Sequence, residues 1–99
     1  MNGKIKYDFL AKTWKHCSAG GWVFVSLPLN ITSEIKEHLK WQEERFGRLK
    51  IIAEIGNNKW DTAIWFDTKY ETYLLPLKLD IRKKEKINTG DIIQIIIWI

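Results

Sequence analysis

The 99-residue chain has one cysteine, one methionine, two prolines and six glycines. A single cysteine, Cys17, excludes an internal disulfide framework and a zinc site built from several thiolates. So few glycines and prolines exclude a low-complexity linker. No apolar run approaches the ~20 residues of a membrane-spanning helix. The opening Met1-Asn2-Gly3-Lys4 has no apolar signal stretch, so a cytoplasmic protein with no membrane contact is expected. Walker and dinucleotide-type glycine patterns are missing too, and Gly20-Gly21 reads as a turn. No cofactor is expected. The length fits a single domain over residues 1–99, by the usual ~100–200 residues per domain.

Hydrophobic residues make up 45% of the chain and charged residues 28%, a globular balance. Sixteen basic residues against twelve acidic ones give a net charge of +4, which permits a polyanionic partner without requiring one. The aromatic residues stand out. There are six tryptophans, each able to bury ~150–250 Å². A core this small has little room for all six, and some are expected in a groove, a pocket or an oligomer interface.

Period-2 alternation predicts strands over residues 4–15, 48–55 and 59–66, and runs of β-forming residues predict strands over 22–27, 70–75 and 92–99. Over 48–55 the apolar set is Leu49, Ile51, Ala53 and Ile55. Over 59–66, Trp60, Thr62, Ile64 and Phe66 share one side. Residues 32–45 read as a helix capped by Thr32 or Ser33, and residues 79–86 as a short basic helix. Turns fall at Ser18-Ala19-Gly20-Gly21 and Gly56-Asn57-Asn58. The last strand, Ile-Ile-Gln-Ile-Ile-Ile-Trp-Ile, is apolar on both faces and calls for cover on both, either centrally in a sheet or at a homodimer interface.

The same order of elements occurs twice, over about 4–55 and 59–99, as two β-β-α-β half-repeats. Leu27-Pro28-Leu29 is matched to Leu75-Pro76-Leu77, and Gly47-Arg48 to Gly90-Asp91. Two such halves close one barrel about a pseudo-twofold axis, because pairing them removes the strand edges that each leaves open. The expected fold is therefore mainly β, a β-barrel with two helices.

The run Leu75-Pro76-Leu77-Lys78-Leu79-Asp80-Ile81-Arg82, followed by Ile87-Asn88-Thr89-Gly90-Asp91 and an apolar strand, resembles the AbrB/MazE swapped-hairpin pattern, many members of which bind DNA. Over almost the whole length the chain resembles a small bacterial domain family of unknown function, DUF1905. The matching segments are Phe9-Leu10-Ala11, Trp22-Val23-Phe24-Val25-Ser26-Leu27-Pro28 and Gly47-Arg48-Leu49-Lys50-Ile51. The match continues through Trp60-Asp61-Thr62-Ala63-Ile64, Tyr73-Leu74-Leu75-Pro76-Leu77-Lys78, Ile81-Arg82-Lys83 and Gly90-Asp91. The resemblance implies a double-split β-barrel in one chain and carries no established activity. Ala63-Ile64-Trp65 departs from the family pattern, where a small hydroxyl residue and a more polar stretch are expected.

For chemistry, the adjacent His16 and Cys17 point to opposite faces of a strand, which works against a nucleophilic pair. His16 and His38 have no partner at a metal-ligand spacing. No nucleophile-base-orienter set is legible, so a non-enzymatic binding module is expected. Lys78, Arg82, Lys83, Lys84 and Lys86 form a basic cluster able to neutralise phosphates of nucleic acid or another polyanion, or simply a solvated face. Arg82 is placed either at that face or in a salt bridge with Asp91. Trp60 and Tyr73 are expected to flank a groove beside Lys78 and Arg82, suited to stacking of bases or sugars, or else to pack in the core. A small-molecule or enzyme site near Trp60, Tyr73, Arg82 and Asp91 is the alternative, and an oligomeric interaction module through residues 92–99 a further one.

Overall fold

The computed structural model describes residues 5–16 and 22–99. Lys4, Cys17 and the turn expected at residues 18–21 lie outside them. Six strands, β1 (Lys6–Lys15), β2 (Val23–Ser26), β3 (Arg48–Ile55), β4 (Asn58–Asp67), β5 (Thr72–Pro76) and β6 (Ile92–Trp98), form a closed antiparallel barrel in the order β1-β2-β5-β4-β3-β6. Two helices, α1 (Leu29–His38) and α2 (Leu79–Lys84), connect β2 to β3 and β5 to β6. The mainly-β expectation holds.

Alternation decides the barrel wall. In β3, Leu49, Ile51, Ala53 and Ile55 point inward and are buried, while Arg48 and Lys50 face out. Both ends of β3 fall where the alternation begins and ends. In β1, Tyr7, Phe9 and Thr13 are the buried set. β2 and β5 are covered on both faces, β5 along its whole length. Exchanging β1-β2-α1-β3 for β4-β5-α2-β6 leaves every strand pairing in place. The hydrogen bonds correct the alignment of the halves. Leu27 N donates to Tyr73 O and Leu77 N to Val23 O, both at 2.9 Å, which makes Leu27 equivalent to Leu77. Pro28 starts a helix whereas Pro76 ends a strand, so the two Leu-Pro steps are displaced by two residues.

β6 lies between β1, which pairs with it over Ile92–Trp98, and β3, which pairs with it over residues 96–98. Ile95, Ile97 and Ile99 fill the barrel, and Ile92 is 69% exposed. The outward Trp98 ring is covered by the ammonium groups of Lys6 and Lys59, at 5.4 and 4.8 Å, and its Nε1 donates to Glu54 Oε1 at 3.3 Å. Lysine stems thus supply part of the outer cover that an all-apolar strand requires. A homodimer through this strand would use outward side chains or the β3-side edge of residues 92–95, which no described strand pairs.

Both helices differ from expectation. α1 begins at Leu29, not at residue 32, because Pro28 presets the entry φ and Thr32 N donates to Pro28 O at 2.9 Å. Thr32 does not cap; its hydroxyl lies 2.7 Å from Thr72 Oγ1, which donates to Leu27 O at 2.7 Å. The helix ends at His38 because the buried stripe of Ile31, Ile35 and Leu39 would continue at Gln42 or Glu43, which are polar. Two 3₁₀ turns, Lys40–Gln42 and Arg45–Gly47, carry the chain on to β3. α2 stops at Lys84, two residues early. Lys86 N donates to Lys83 O and Ile87 N to Arg82 O, the two bonds of a Schellman end, with Lys86 at φ +54° and Ile87 buried.

The β3–β4 hairpin turns on Gly56 and Asn57, with Ile55 opposite Asn58. Gly56 has φ +56°, and a Cβ there would collide with the Glu85 carboxylate, which accepts the Asn58 side-chain amide. Gly56→Ala is therefore expected to cost at least the ~1–2 kcal/mol of a left-handed non-glycine residue. That would lower the melting temperature by roughly 4–8 °C per kcal/mol, as a thermal melt followed by circular dichroism would show.

Candidate functional site

The structure separates the residues that the sequence grouped. Trp60 faces the barrel interior opposite Ala53 and packs half-buried against the core. Its Nε1 is buried without a hydrogen-bond partner. Tyr73 also points inward and is fully buried, but it pairs with Phe66, six residues further along β4 from Trp60. Six residues of strand span ~20 Å. The expected aromatic flank of Trp60 and Tyr73 is therefore not formed, because both lie in the inward phase of their strands. Tyr73 instead meets the edge of Phe66 at 5.4 Å and donates its hydroxyl to Glu43 Oε2 at 3.1 Å.

Burial, and then the neighbouring Glu43 carboxylate, push the Tyr73 phenol well above its ordinary value of 10.0. Burial and Glu34 push Tyr7 the same way. Above about pH 10 the unfolded chain loses these phenolic protons while the folded chain keeps them, so stability is full below that pH and falls as pH rises. Tyr73→Phe is expected to flatten that alkaline fall, as urea unfolding at about pH 9 and about pH 11 would show.

Arg82 does not pair with Asp91. Its Nε donates to Leu77 O at 3.1 Å, and the Asp91 carboxylate accepts the Asn88 backbone N–H at 2.8 Å. Asp61 forms no ion pair with Lys59 or Arg82; among the described residues the ion pairs are Arg48–Glu44 at 2.7 Å and Lys50–Glu44 at 3.5 Å. The Arg48 hydrogen bond holds the Glu44 carboxyl below its usual range. Lys78 occupies the N-cap position of α2 without a side-chain capping hydrogen bond, and Lys83 and Lys84 lie on its exposed surface. Arg82, Lys83 and Lys86 edge a hollow of about 250 Å³ floored by Leu79 and Ile87, while Lys84 lies outside it.

A larger depression is not legible in the sequence. β5 pairs with β4 only over residues 72–74 and then follows β2 alone. The resulting split on the outer surface is a groove of about 580 Å³ between Asp61, Thr62 and Ala63 on one side and Pro76, Leu77 and Lys78 on the other. Trp22 and Trp65 form its aromatic walls, and Arg48, Lys50 and Lys78 stand at its rim. The aromatic walls follow from the outward phase of the strands. Val23 and Val25 point inward, which turns Trp22 and Phe24 outward; Ile64 points inward, which turns Trp65 outward.

The outward rings support one another. Phe24, 8% exposed, stacks on Trp22 at 6.1 Å and 16° and meets Trp65 edge-on at 6.4 Å and 86°. Trp14, opposite Phe24 on β1, packs on it at 5.4 Å and anchors its Nε1 to Ser26 Oγ at 3.0 Å. His16 lies edge-on to Phe24 at 6.1 Å. It lines a second hollow of about 240 Å³ with Phe24 and both groove indoles, so aromatic surface continues past the groove. Trp22 remains 54% exposed. The arrangement offers flat apolar faces for a ring and cations for an anionic group beside it.

Among the described residues no group of three or more His, Cys, Asp or Glu could hold a metal ion. No described helix is long and apolar enough to cross a membrane. No curated protein matches the chain. The family model for the Domain of unknown function (DUF1905) matches residues 9–97, from within β1 to within β6, and includes the four strands and both helices between them. The barrel with its split, its two helices and its aromatic outer face thus belongs to a member of the DUF1905 family.

Proposed function

We propose that the chain is a binding module for single-stranded nucleic acid, held in the outer groove. One observation supports this reading above the others: Trp22 and Trp65 converge on the same depression as Arg48, Lys50 and Lys78. Every base has a π-face, so stacking on indoles is tolerant of sequence, at ~1–3 kcal/mol per base, while lysine and arginine neutralise the adjoining phosphates. The rim cations also disfavour a cationic ligand in the aromatic hollow. A duplex hides its base faces and offers such walls nothing to stack on.

Binding is favoured over catalysis because the described lining has one carboxylate, Asp61, and no imidazole or thiol beside it. The groove volume also lies in the ~300–1,000 Å³ range of small-molecule sites, so a free nucleotide is the second reading. Titration with a single-stranded oligonucleotide, read by tryptophan emission, separates the two. Quenching that strengthens with oligonucleotide length and is absent with duplex supports a strand. Equal affinity for mononucleotide and oligonucleotide supports the second reading, and no quenching at low salt removes both.

A further inference from the structure

We propose that the hollow at the end of α2 is a phosphate subsite, which receives a backbone phosphate of the strand whose bases stack in the groove. The inference rests on that reading of the groove and adds a second, separate point of attachment.

Three observations support it. The Arg82 guanidinium is fixed in place, because its Nε donates to Leu77 O at 3.1 Å. Holding Nε leaves the two terminal amino groups as a fork that is already oriented, the geometry that matches two oxygens of a phosphate. Lys86 lines the same hollow from a backbone position with φ +54°. That is the C′ position of a Schellman end, where glycine is the usual residue and a lysine is strained. A lysine at this position gives up backbone stability and places an ammonium group beside the Arg82 fork. Finally, two of the nearby carboxylates face other partners, and the third, Asp80, is exposed in the first turn of α2. Glu85 accepts the Asn58 amide, Asp91 accepts the Asn88 N–H, and Arg82, Lys83 and Lys86 form no ion pair among the described residues.

The hollow connects to the groove through α2. Lys78 stands at the groove rim and at the start of the helix, and Leu79, the next residue, lines the hollow. The helix is six residues long, about 9 Å at 1.5 Å per residue. One strand can therefore reach both sites within the ~4–16 nucleotides that a single small barrel typically covers.

The experiment is a salt titration of binding, using a dT oligomer of about ten nucleotides and a dinucleotide. It compares the wild-type protein with the double variant Arg82→Gln, Lys86→Gln. For single strands the slope of log K against log salt is about −0.7 per phosphate neutralised. The double variant is expected to make the oligomer slope shallower by about 0.7, one phosphate contact's worth. Dinucleotide binding in the groove is expected to stay unchanged. An unchanged oligomer slope would overturn the subsite while leaving the groove reading intact. Equal losses for both ligands would also overturn it, since the effect would then not belong to a separate site. Failure of the wild-type protein to bind either ligand would remove both proposals. Lys86→Gly guards against a folding artefact: it is expected to melt at a higher temperature than wild type and still bind the oligomer with a shallower slope. A more stable Lys86→Gly protein with the wild-type slope would contradict the role of Lys86.

Discussion

Replacing Trp65 with alanine is expected to weaken oligonucleotide binding by roughly 5- to 150-fold, the ~1–3 kcal/mol that stacking on one aromatic side chain contributes. Trp65 is positioned by its strand register. Its neighbour Ile64 is fully buried opposite Leu49, which fixes the alternation and sends the indole outward. The Phe24 ring then meets it edge-on and limits its rotation. A ring already held in place loses little freedom when a base stacks on it, and that is why the effect is placed at this residue. Trp65→Phe retains a π-face and is expected to recover most of the affinity. Trp41 provides the control. It is 73% exposed on a 3₁₀ turn and is not part of the groove lining, so Trp41→Ala is expected to bind as wild type does. Fluorescence anisotropy with a labelled oligonucleotide reads all three without depending on the remaining tryptophans. Equal losses from Trp41→Ala and Trp65→Ala would remove the groove from the account.

The largest expected effect on stability is at Ile95. It is fully buried in β6, the strand that joins β1 to β3 and closes the barrel. Truncation to alanine removes buried methylene and methyl groups and leaves a cavity, at ~2–5 kcal/mol for such a site. Small domains have only ~5–15 kcal/mol in total, so the variant is expected to sit close to the edge of folding. Ile92, in the same strand, is 69% exposed. Ile92→Ala is expected to stay within about 0.5 kcal/mol of wild type. Urea unfolding of the two variants measures the difference directly. Similar losses at both positions would show that the outer face of β6 is covered in solution, as an interface between two copies would require.

The two isoleucines also mark where the sequence is informative and where it is not. Alternation in β1, β3 and β4 states which residues face in, and β3 is bounded as expected because its inward set runs unbroken from Leu49 to Ile55. In β6 the alternation is invisible, since both faces are apolar, and only closure of the barrel distinguishes Ile95 from Ile92. The sequence points to a start of α1 at residue 32 because Thr32 and Ser33 are good caps in isolation, whereas Pro28 starts the helix four residues earlier. The Arg82–Lys86 cluster is legible because its residues are contiguous. The groove is not, because it is assembled from the residue before β2, from β3 and β4, and from the end of β5 with the segment after it. Periodicity shows that Trp65 faces out, but not that β5 leaves β4 beside it. The mistaken pairing of Trp60 with Tyr73 comes from the same source. Trp60 already belonged to the inward set with Thr62, Ile64 and Phe66, and adjacency in a list of strands is not adjacency on one face.

The central claim is that aromatic walls and rim cations of one groove act together on a single strand. The salt dependence of oligonucleotide binding to the wild-type protein tests it most directly. Arg48 and Lys50, which exchange Glu44 for phosphate, and Lys78 at the groove, with Arg82 and Lys86 at the hollow, supply five cations to four phosphates. At about −0.7 per phosphate, one phosphate at each groove cation and one shared by Arg82 and Lys86 give a log–log slope near −2.8, with stacking affinity persisting at high salt. A linear slope of about that size, accompanied by tryptophan quenching, is the expected result. Absence of binding at low salt, or binding with a flat salt dependence, would contradict the account.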